Sequence, residues 1–425
     1  MSDGARHNVD YLIIGGGIAG TAAAEVIRDN DERGSIAIVS KEPHELYSRV
    51  LLPKYVEGNV SREQVFLRSA ENYNARNISL YAGQEVTIVD PAHQEIRTRE
   101  GKTFFYKQLL IAAGGRVKPW RVQGSNSVLV SRFQTIDDAD ALREQLASLP
   151  APEVVIVGGG FITLELLNAL VPLRLPIRVL MSEKRYWDQF LDETGSAFLE
   201  ARIEQSGVTI SHQEVVTHVT LGKERRFALS TNRRNTHTTD IIAVGIGLDR
   251  EIELFSGIGI EIDTGIKTDE YMETAVEGIW AAGDIAEVFH PVFGKHMCIS
   301  NWSNAFLQGR AAGYNMAVRL TQTGASQPYV RIPLYAVDVL GLHIACVGDV
   351  FSKEYDGREF IARSQNGQYY EQFIMQGGKL IGAVLMNKFE DQRIIERLIS
   401  EKRDVTPYLS YFKDEKINLS QALQS

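Results

Sequence analysis

The 425-residue chain has very little cysteine: two residues, Cys298 and Cys346, far apart and with no CxxC spacing. That excludes a disulfide framework and a local dithiol redox pair, and leaves two buried thiols as the plain reading. A surplus of positive charge is also missing. Lys and Arg number 45 against 54 Asp and Glu, a formal net charge of −9. This argues against nucleic acid or an anionic membrane surface as the main partner, because both require clustered cations. No apolar run is long enough to span a membrane, since the stretch from Tyr11 to Ile27 is interrupted by glycines and by Glu25. The opening MSDGARHNVD carries no apolar signal core, so a cytoplasmic protein is expected. Hydrophobic residues make up 44% of the chain, enough for full cores. At roughly 150 residues per domain the length suggests about three domains.

Glycine, by contrast, is concentrated where chemistry is expected. Val9 to Ile14 (VDYLII) is a short β-type run, followed by Gly15-Gly16-Gly17-Ile18-Ala19-Gly20 and the helix-favouring TAAAEVIRDN. Gly15, Gly17 and Gly20 fit GxGxxG. The first allows a tight turn, the second lets backbone approach a pyrophosphate, and the third lets helix pack on strand. The phosphates then sit at a helix N-terminus, where free N–H groups and the dipole favour negative charge. A second strand, SIAIV at 35–39, leads into Ser40-Lys41-Glu42 and places a carboxylate 22 residues after Gly20, suited to a ribose hydroxyl pair.

The unit recurs. EVVIV at 153–157 is a strand, Gly158-Gly159-Gly160-Phe161-Ile162-Thr163 a glycine turn, and LELLNAL a helix that Pro172 stops. Thr163 replaces the third glycine, so helix and strand should sit slightly farther apart. The following strand, IRVLM at 177–181, puts Met181 where an acid is expected and Glu183 two residues later, with Arg178, Lys184 and Arg185 close by. NADH is favoured over NADPH, and NADPH stays open. Two further strands also break at glycine, QLLIAAGG at 108–115 and DIIAVGIG at 240–247, which puts Ala113, Gly114 and Gly245 where backbone can lie close to a cofactor. In GIWAAGDIAE at 278–287, Gly283-Asp284 follows a strand and can offer a carboxylate to ribityl hydroxyls.

Taken together, GGGIAG, the EPH at 42–44, YSRVLLPK at 47–54, GGGFITLE at 158–165, VGIGLDREIEL at 244–254 and WAAGDIAE at 280–287 resemble the two-dinucleotide-binding flavoproteins, the FAD- and NAD(P)H-dependent pyridine-nucleotide oxidoreductases. The chain is most similar to the rubredoxin reductases, the oxygenase ferredoxin reductases and the flavin-bearing part of nitrite reductase large subunits. The resemblance implies an α/β fold with two Rossmann-like dinucleotide-binding domains, the second inserted into the first, and a small C-terminal α+β domain. It implies FAD binding by 1–118 and 249–327, NAD(P)H binding by 119–248, and a cap or interface domain over 328–425. The implied FAD set comprises Gly15, Gly17, Ile18, Ala19, Gly20, Lys41, Glu42, Arg49, Lys54, Val86, Ala113, Gly114, Gly283, Asp284 and Trp302. The implied nucleotide set comprises Gly158, Gly160, Phe161, Ile162, Glu165, Glu183 and Gly245.

Val50 stands about four residues before Lys54, where relatives that work through a redox cysteine carry it. Without that thiol, electrons must leave for an outside acceptor. From the residues alone Lys54 either snorkels to water or is desolvated against a partner. The resemblance implies the second, near flavin N5 and paired with Glu165. The 301–320 stretch reads as a helix whose positive end can favour reduced flavin. His290, His296 and Cys298 lack metal-ligand spacing, so no metal is expected. In the last hundred residues LYAVDVLGLHIACV, QYYEQFIM and KLIGAVLM are strand-like, Gly377-Gly378 signals a hairpin, and 388–400 is helix-like. The expected activity is an enzyme carrying electrons from NAD(P)H through FAD to a small redox protein of rubredoxin or ferredoxin type, with a homodimer as a possible assembly. An NAD(P)H oxidase or quinone-type reductase and a redox-switched interaction protein are the alternatives.

Overall fold

A computed structural model describes residues 6–222, 226–350, 357–365 and 367–422. The chain forms two compact units, one of Met1–Ser48, Arg62–Arg116 and Asp249–Arg331, the other of Arg49–Ser61, Val117–Leu248 and Ile332–Ser425.

The first unit is built on a sheet whose strands run, in spatial order, Ile78–Tyr81, Ile36–Val39, Arg6–Ile14, Thr103–Ile111, Glu95–Thr98 and Val86–Asp90. The first four are parallel, and Ile279–Ala281 also pairs in parallel with Thr103–Ile111. Their central residues, among them Tyr11, Leu12, Ile13, Ala37, Ile38, Leu109 and Leu110, are almost wholly buried. That explains why these segments read as continuous apolar runs rather than alternating ones. Each such Ile or Leu contributes about 1.5–3 kcal/mol by leaving water. The register aligns Ile14 with Val39 and Ile111, and Ile111 with Ala281. The carboxyl ends of these strands are therefore level, and the turns after Ile14, Ile111 and Ala281 open at one edge, where open α/β sheets bind ligands.

One feature of this unit is the crossing of the Ile18–Asn30 and Trp302–Thr321 helices. A Cβ built on Gly309 would lie 2.1 Å from the Ala19 carbonyl oxygen, and one on Gly313 2.5 Å from that of Ala23. Only glycine lets the two backbones approach so closely. The long helix is capped by Asn301, whose side chain accepts from Asn304 N at 2.8 Å.

The second unit contains a parallel sheet in the order Thr209–Ser211, Ile177–Leu180, Val154–Val157, Ile241–Val244, Val130–Ser131. Val157 is level with both Leu180 and Val244, so the turns that follow these strands share one edge as well. A three-stranded antiparallel sheet, Val216–Leu221, Phe227–Thr231 and Thr236–Thr239, lies beside it in sequence. The last part forms a five-stranded antiparallel sheet, Leu334–Val339, Leu342–Gly348, Lys379–Met386, Tyr369–Gln376, Arg358–Gln365, followed by the Gln392–Ser400 helix. Gly377 and Gly378 both have positive φ and close the hairpin between two of these strands, as their sequence signal predicts. Buried Arg363 ties the end of the chain to this sheet. It pairs with Glu371 at 2.6 Å and Asp391 at 3.0 Å and donates to the carbonyls of Tyr411, Asp414 and Ile417. A buried cation of this kind is tolerated because every face of it is partnered.

Candidate functional site

In the first unit the turn after Ile14 is shaped from both sides. Gly15 sits at φ +114°, and a Cβ there would meet the Ala112 carbonyl oxygen at 2.2 Å. A Cβ on Gly20 would meet the Gly15 carbonyl oxygen at 2.0 Å. Gly17 is different: it is the N-cap of the Ile18–Asn30 helix, and a Cβ there would meet nothing within 4 Å. The first and third glycines thus hold the turn together, while the second faces space left for a ligand. Helix residues Ile18 and Ala19 follow directly. Gly114, at φ +68°, likewise has nothing within 4 Å of its Cβ position and follows Ala113 at the end of the Thr103–Ile111 strand.

Glu42 lies just past the Ile36–Val39 strand and accepts a hydrogen bond from the Tyr47 hydroxyl at 2.5 Å, while Lys41 pairs with Glu85 at 3.0 Å. Val86 starts the next antiparallel strand. Gly283 and Asp284 form a 3-10 turn after Ile279–Ala281, where Gly283 N donates to Gln308 Oε1 at 2.8 Å. Gln308 is fully buried, and its Nε2 has no partner among the described residues. An orphaned donor beside that turn fits a bound polar group, and sequence reasoning missed it. Trp302 is half-buried at the start of the long helix. These features fit a dinucleotide laid along the strand ends.

In the second unit Gly158 repeats the role of Gly15: it has φ +127°, and its Cβ would lie 2.3 Å from the Gly245 carbonyl oxygen. Gly160 repeats that of Gly17, as the N-cap of Phe161–Leu170 with nothing within 4 Å. Thr163, fully buried, occupies the third position with a Cβ that the fold accommodates, so helix and strand there stand far enough apart to admit one. A Cβ on Gly159 would reach Met181 at 2.8 Å and Glu183 Oε2 at 3.1 Å. That Glu183 oxygen is buried with no partner among the described residues. A lone carboxylate oxygen against a glycine turn is an acceptor waiting for hydroxyls. Phe161 begins the helix, with its ring centroid 4.2 Å from that of Tyr335 and 4.6 Å from that of Trp187; Ile162 follows it, half-buried.

Lys54 lies in the Leu52–Glu57 helix, and Arg49, just before that helix, donates to the Gln134 carbonyl oxygen at 3.0 Å. The expected Lys54–Glu165 pair is not formed. Lys54 Nζ bonds Glu57 Oε2 at 3.0 Å with its side chain 57% exposed. A lysine one turn from a glutamate meets it through local helix geometry, which a distant partner must overcome. Glu165, on the Phe161–Leu170 helix, has its carboxyl pushed up to about 7 by burial alone. The folded protein therefore holds this proton more tightly than the unfolded chain, whose carboxyl titrates near 4.5. Stability should fall as pH rises from about 4.5 through about 7, and Glu165→Gln should remove that slope. Melting temperatures of wild type and variant at about pH 5 and about pH 8 check it; equal slopes contradict it.

Burial also raises both thiols, Cys298 to about 11 and Cys346 to about 12. Both therefore stay protonated and poorly nucleophilic near neutrality. Among the described residues no group of three His, Cys, Asp or Glu side chains is placed to hold a metal ion, and no helix is long and apolar enough to cross a membrane.

Comparison with known proteins agrees with this geometry. The family model for pyridine nucleotide-disulphide oxidoreductases matches residues 9–309, and that for the rubredoxin NAD+ reductase C-terminal domain matches 333–403. The chain belongs to the pyridine nucleotide-disulphide oxidoreductase family, and it is an FAD-dependent enzyme that uses a nicotinamide nucleotide. The ferredoxin–NAD(+) reductase component of the anthranilate 1,2-dioxygenase system of Burkholderia cepacia is 28% identical over 92% of this chain and 94% of its own. The epsilon subunit of NADH-dependent phenylglyoxylate dehydrogenase of Aromatoleum evansii is 26% identical over 100% and 99%. Among solved structures, the covalent putidaredoxin reductase–putidaredoxin complex matches with a TM-score of 0.88 at 25% identity, covering 98% of this chain and 99% of that one.

Proposed function

We propose that the chain takes reducing equivalents from NADH and delivers them to a small redox protein of ferredoxin or rubredoxin type, in the cytoplasm. FAD held there would supply hydride acceptance and one-electron release, joining a two-electron donor to a one-electron acceptor. Two open glycine turns, each at the carboxyl ends of parallel strands, support the assignment, in a chain whose thiols are both held protonated by burial. With Val50 where a redox cysteine would stand and both thiols held protonated, the acceptor is assigned to a protein outside the chain.

The first unit, through Gly15, Gly17, Gly20, Glu42, Gly114 and Asp284, is assigned to FAD. Residues 119–248 of the second, through Gly158, Gly160, Glu183 and Gly245, are assigned to the nucleotide, and 328–425 to the cap. Glu183 accepts from the adenosine ribose hydroxyls and repels a 2′-phosphate, which favours NADH. Lys54 and Glu165 are assigned to the hydride-transfer site. The Lys54–Glu57 pair is exposed, and pairs of that kind are worth only about 0–1 kcal/mol. Lys54 is thus able to exchange that partner for another at little expense.

Steady-state turnover with NADH against a panel of rubredoxin, a [2Fe–2S] ferredoxin, quinone and O₂ tests this. Fast turnover with one of the protein acceptors and slow turnover with the rest is expected. Equal or faster rates with O₂ or quinone would replace the proposal by an oxidase or quinone reductase. A long-lived reduced complex that turns over with none would point to a redox-switched interaction protein.

A further inference from the structure

On the reading that the Gly158 to Gly160 turn holds NAD(P)H, we infer that Tyr370 and Gln372 of the C-terminal sheet are positioning residues for that nucleotide. Neither belongs to the dinucleotide-binding fold, and neither borders the glycine turn. Their hold is on the segment 183–192, which starts at Glu183 and ends at the next helix, Glu193–Gln205.

The far end of this segment is fastened to the Tyr369–Gln376 strand. Gln372 Nε2 donates to the Phe190 carbonyl oxygen at 2.6 Å, and Asp192 N donates back to Gln372 Oε1 at 3.1 Å. The Tyr370 hydroxyl donates to Asp192 Oδ1 at 2.9 Å and stands 2.8 Å from Gln372 Oε1. The same Asp192 oxygen accepts from Gly195 N at 2.7 Å, capping the helix. A Cβ on Gly195 would come within 2.6 Å of the Tyr370 ring, so the helix start rests directly on that side chain. Tyr370 and Gln372 are 0% and 1% exposed. Buried hydrogen bonds with no water to replace them fix the three residues 190–192 in place.

The near end of the segment needs that anchorage. Trp187 has φ +56°, a left-handed conformation unfavourable for a bulky side chain unless its surroundings impose it. Its ring packs on Phe190 at 5.1 Å and on Phe161 at 4.6 Å. Phe161 is the first helical residue after Gly160. A continuous path therefore runs from Gln372 and Tyr370 through 190–192 and Trp187 to the helix N-terminus that receives the phosphates, and along the same segment to Glu183. The C-terminal sheet meets this machinery elsewhere too: Tyr335 stacks edge-on against Phe161, and Asn168 donates to the Asp338 carbonyl oxygen at 2.5 Å.

Gln372→Met and Tyr370→Phe, made separately in the full-length flavin-loaded enzyme, test the inference. Tyr370→Phe keeps the ring that fills the space against Gly195 and removes only the hydroxyl, so the variant folds. The KM for NADH and the calorimetric Kd for NAD+ are expected to rise about tenfold in each, as loss of one or two buried hydrogen bonds allows. At saturating NADH, kcat should remain within about twofold and FAD content should be unchanged. Gln372→Glu, which would set a buried carboxylate against the Phe190 carbonyl oxygen and close to the Asp192 carboxylate, should raise KM and Kd at least as far as Gln372→Met. Unaltered KM and Kd in both folded variants overturn the inference, as does a fall in kcat that merely tracks a lower melting temperature. If Gly160→Val also leaves NAD+ binding intact, the assignment of the nucleotide to this turn has failed instead.

Discussion

Gly17→Val is expected to give a folded, colourless protein with no NADH-dependent activity. Gly17 lies at φ −73° and ψ −172°, extended backbone that any residue adopts, and a Cβ built there meets no atom of the chain within 4 Å. The added Cβ therefore strains nothing in the protein itself. Its two methyl groups would project into the space before the first turn of the Ile18–Asn30 helix, where unpaired N–H groups would receive the pyrophosphate. FAD content should fall to less than about a tenth of wild type, with a far-ultraviolet spectrum close to that of flavin-stripped wild type. Gly15→Ala should fail differently. At φ +114°, with Ala112 O 2.2 Å from the added carbon, the turn itself must break, and the chain should misfold rather than merely lose its cofactor. Absorbance near the flavin bands and circular dichroism separate the two outcomes.

Gly160→Val is the counterpart in the second unit and should yield a yellow protein that NADH scarcely reduces. Gly160 sits at φ −98° and ψ −170° and, like Gly17, has open space at its Cβ position. The added Cβ meets no atom of the chain, and the side chain would intrude on a nucleotide bound there, so FAD content should match wild type while the apparent affinity for NADH drops by about a hundredfold or more. Rapid-mixing reduction at a series of NADH concentrations measures this. Loss of flavin with normal NADH affinity would show that the two dinucleotide assignments are exchanged.

Much of this arrangement was legible in the residues themselves. Apolar runs buried on both faces, each followed by a glycine cluster and an alanine- or leucine-rich helix, define the first parallel strands of the two units, because period, turn chemistry and helix start all agree there. Glu183 stands two residues beyond the usual slot of the acid, and in the structure the Met181 side chain and the Glu183 oxygen both lie close to the Gly159 Cβ position. The pairing of Lys54 was not legible as such. The sequence offers Glu57 one helical turn away and Glu165 more than a hundred positions off, and the local partner wins in this structure. The GRAAG spacing of Gly309 and Gly313 is visible in the sequence as a small-residue stripe, yet which helix it meets depends on tertiary packing. Gln308, Tyr370 and Gln372 carried no signal at all, since a buried amide or phenol reveals its partners only once the fold has brought distant strands and loops together.

On this assignment one chain seats both a flavin and the nicotinamide that reduces it. Anaerobic titration of the purified, flavin-reconstituted protein with NADH, followed at the flavin absorbance bands, tests it most directly. Bleaching that is complete at about one NADH per flavin is the predicted result. A protein that stays colourless when FAD is supplied, or a yellow one that excess NADH leaves oxidised, would rule the two-cofactor arrangement out.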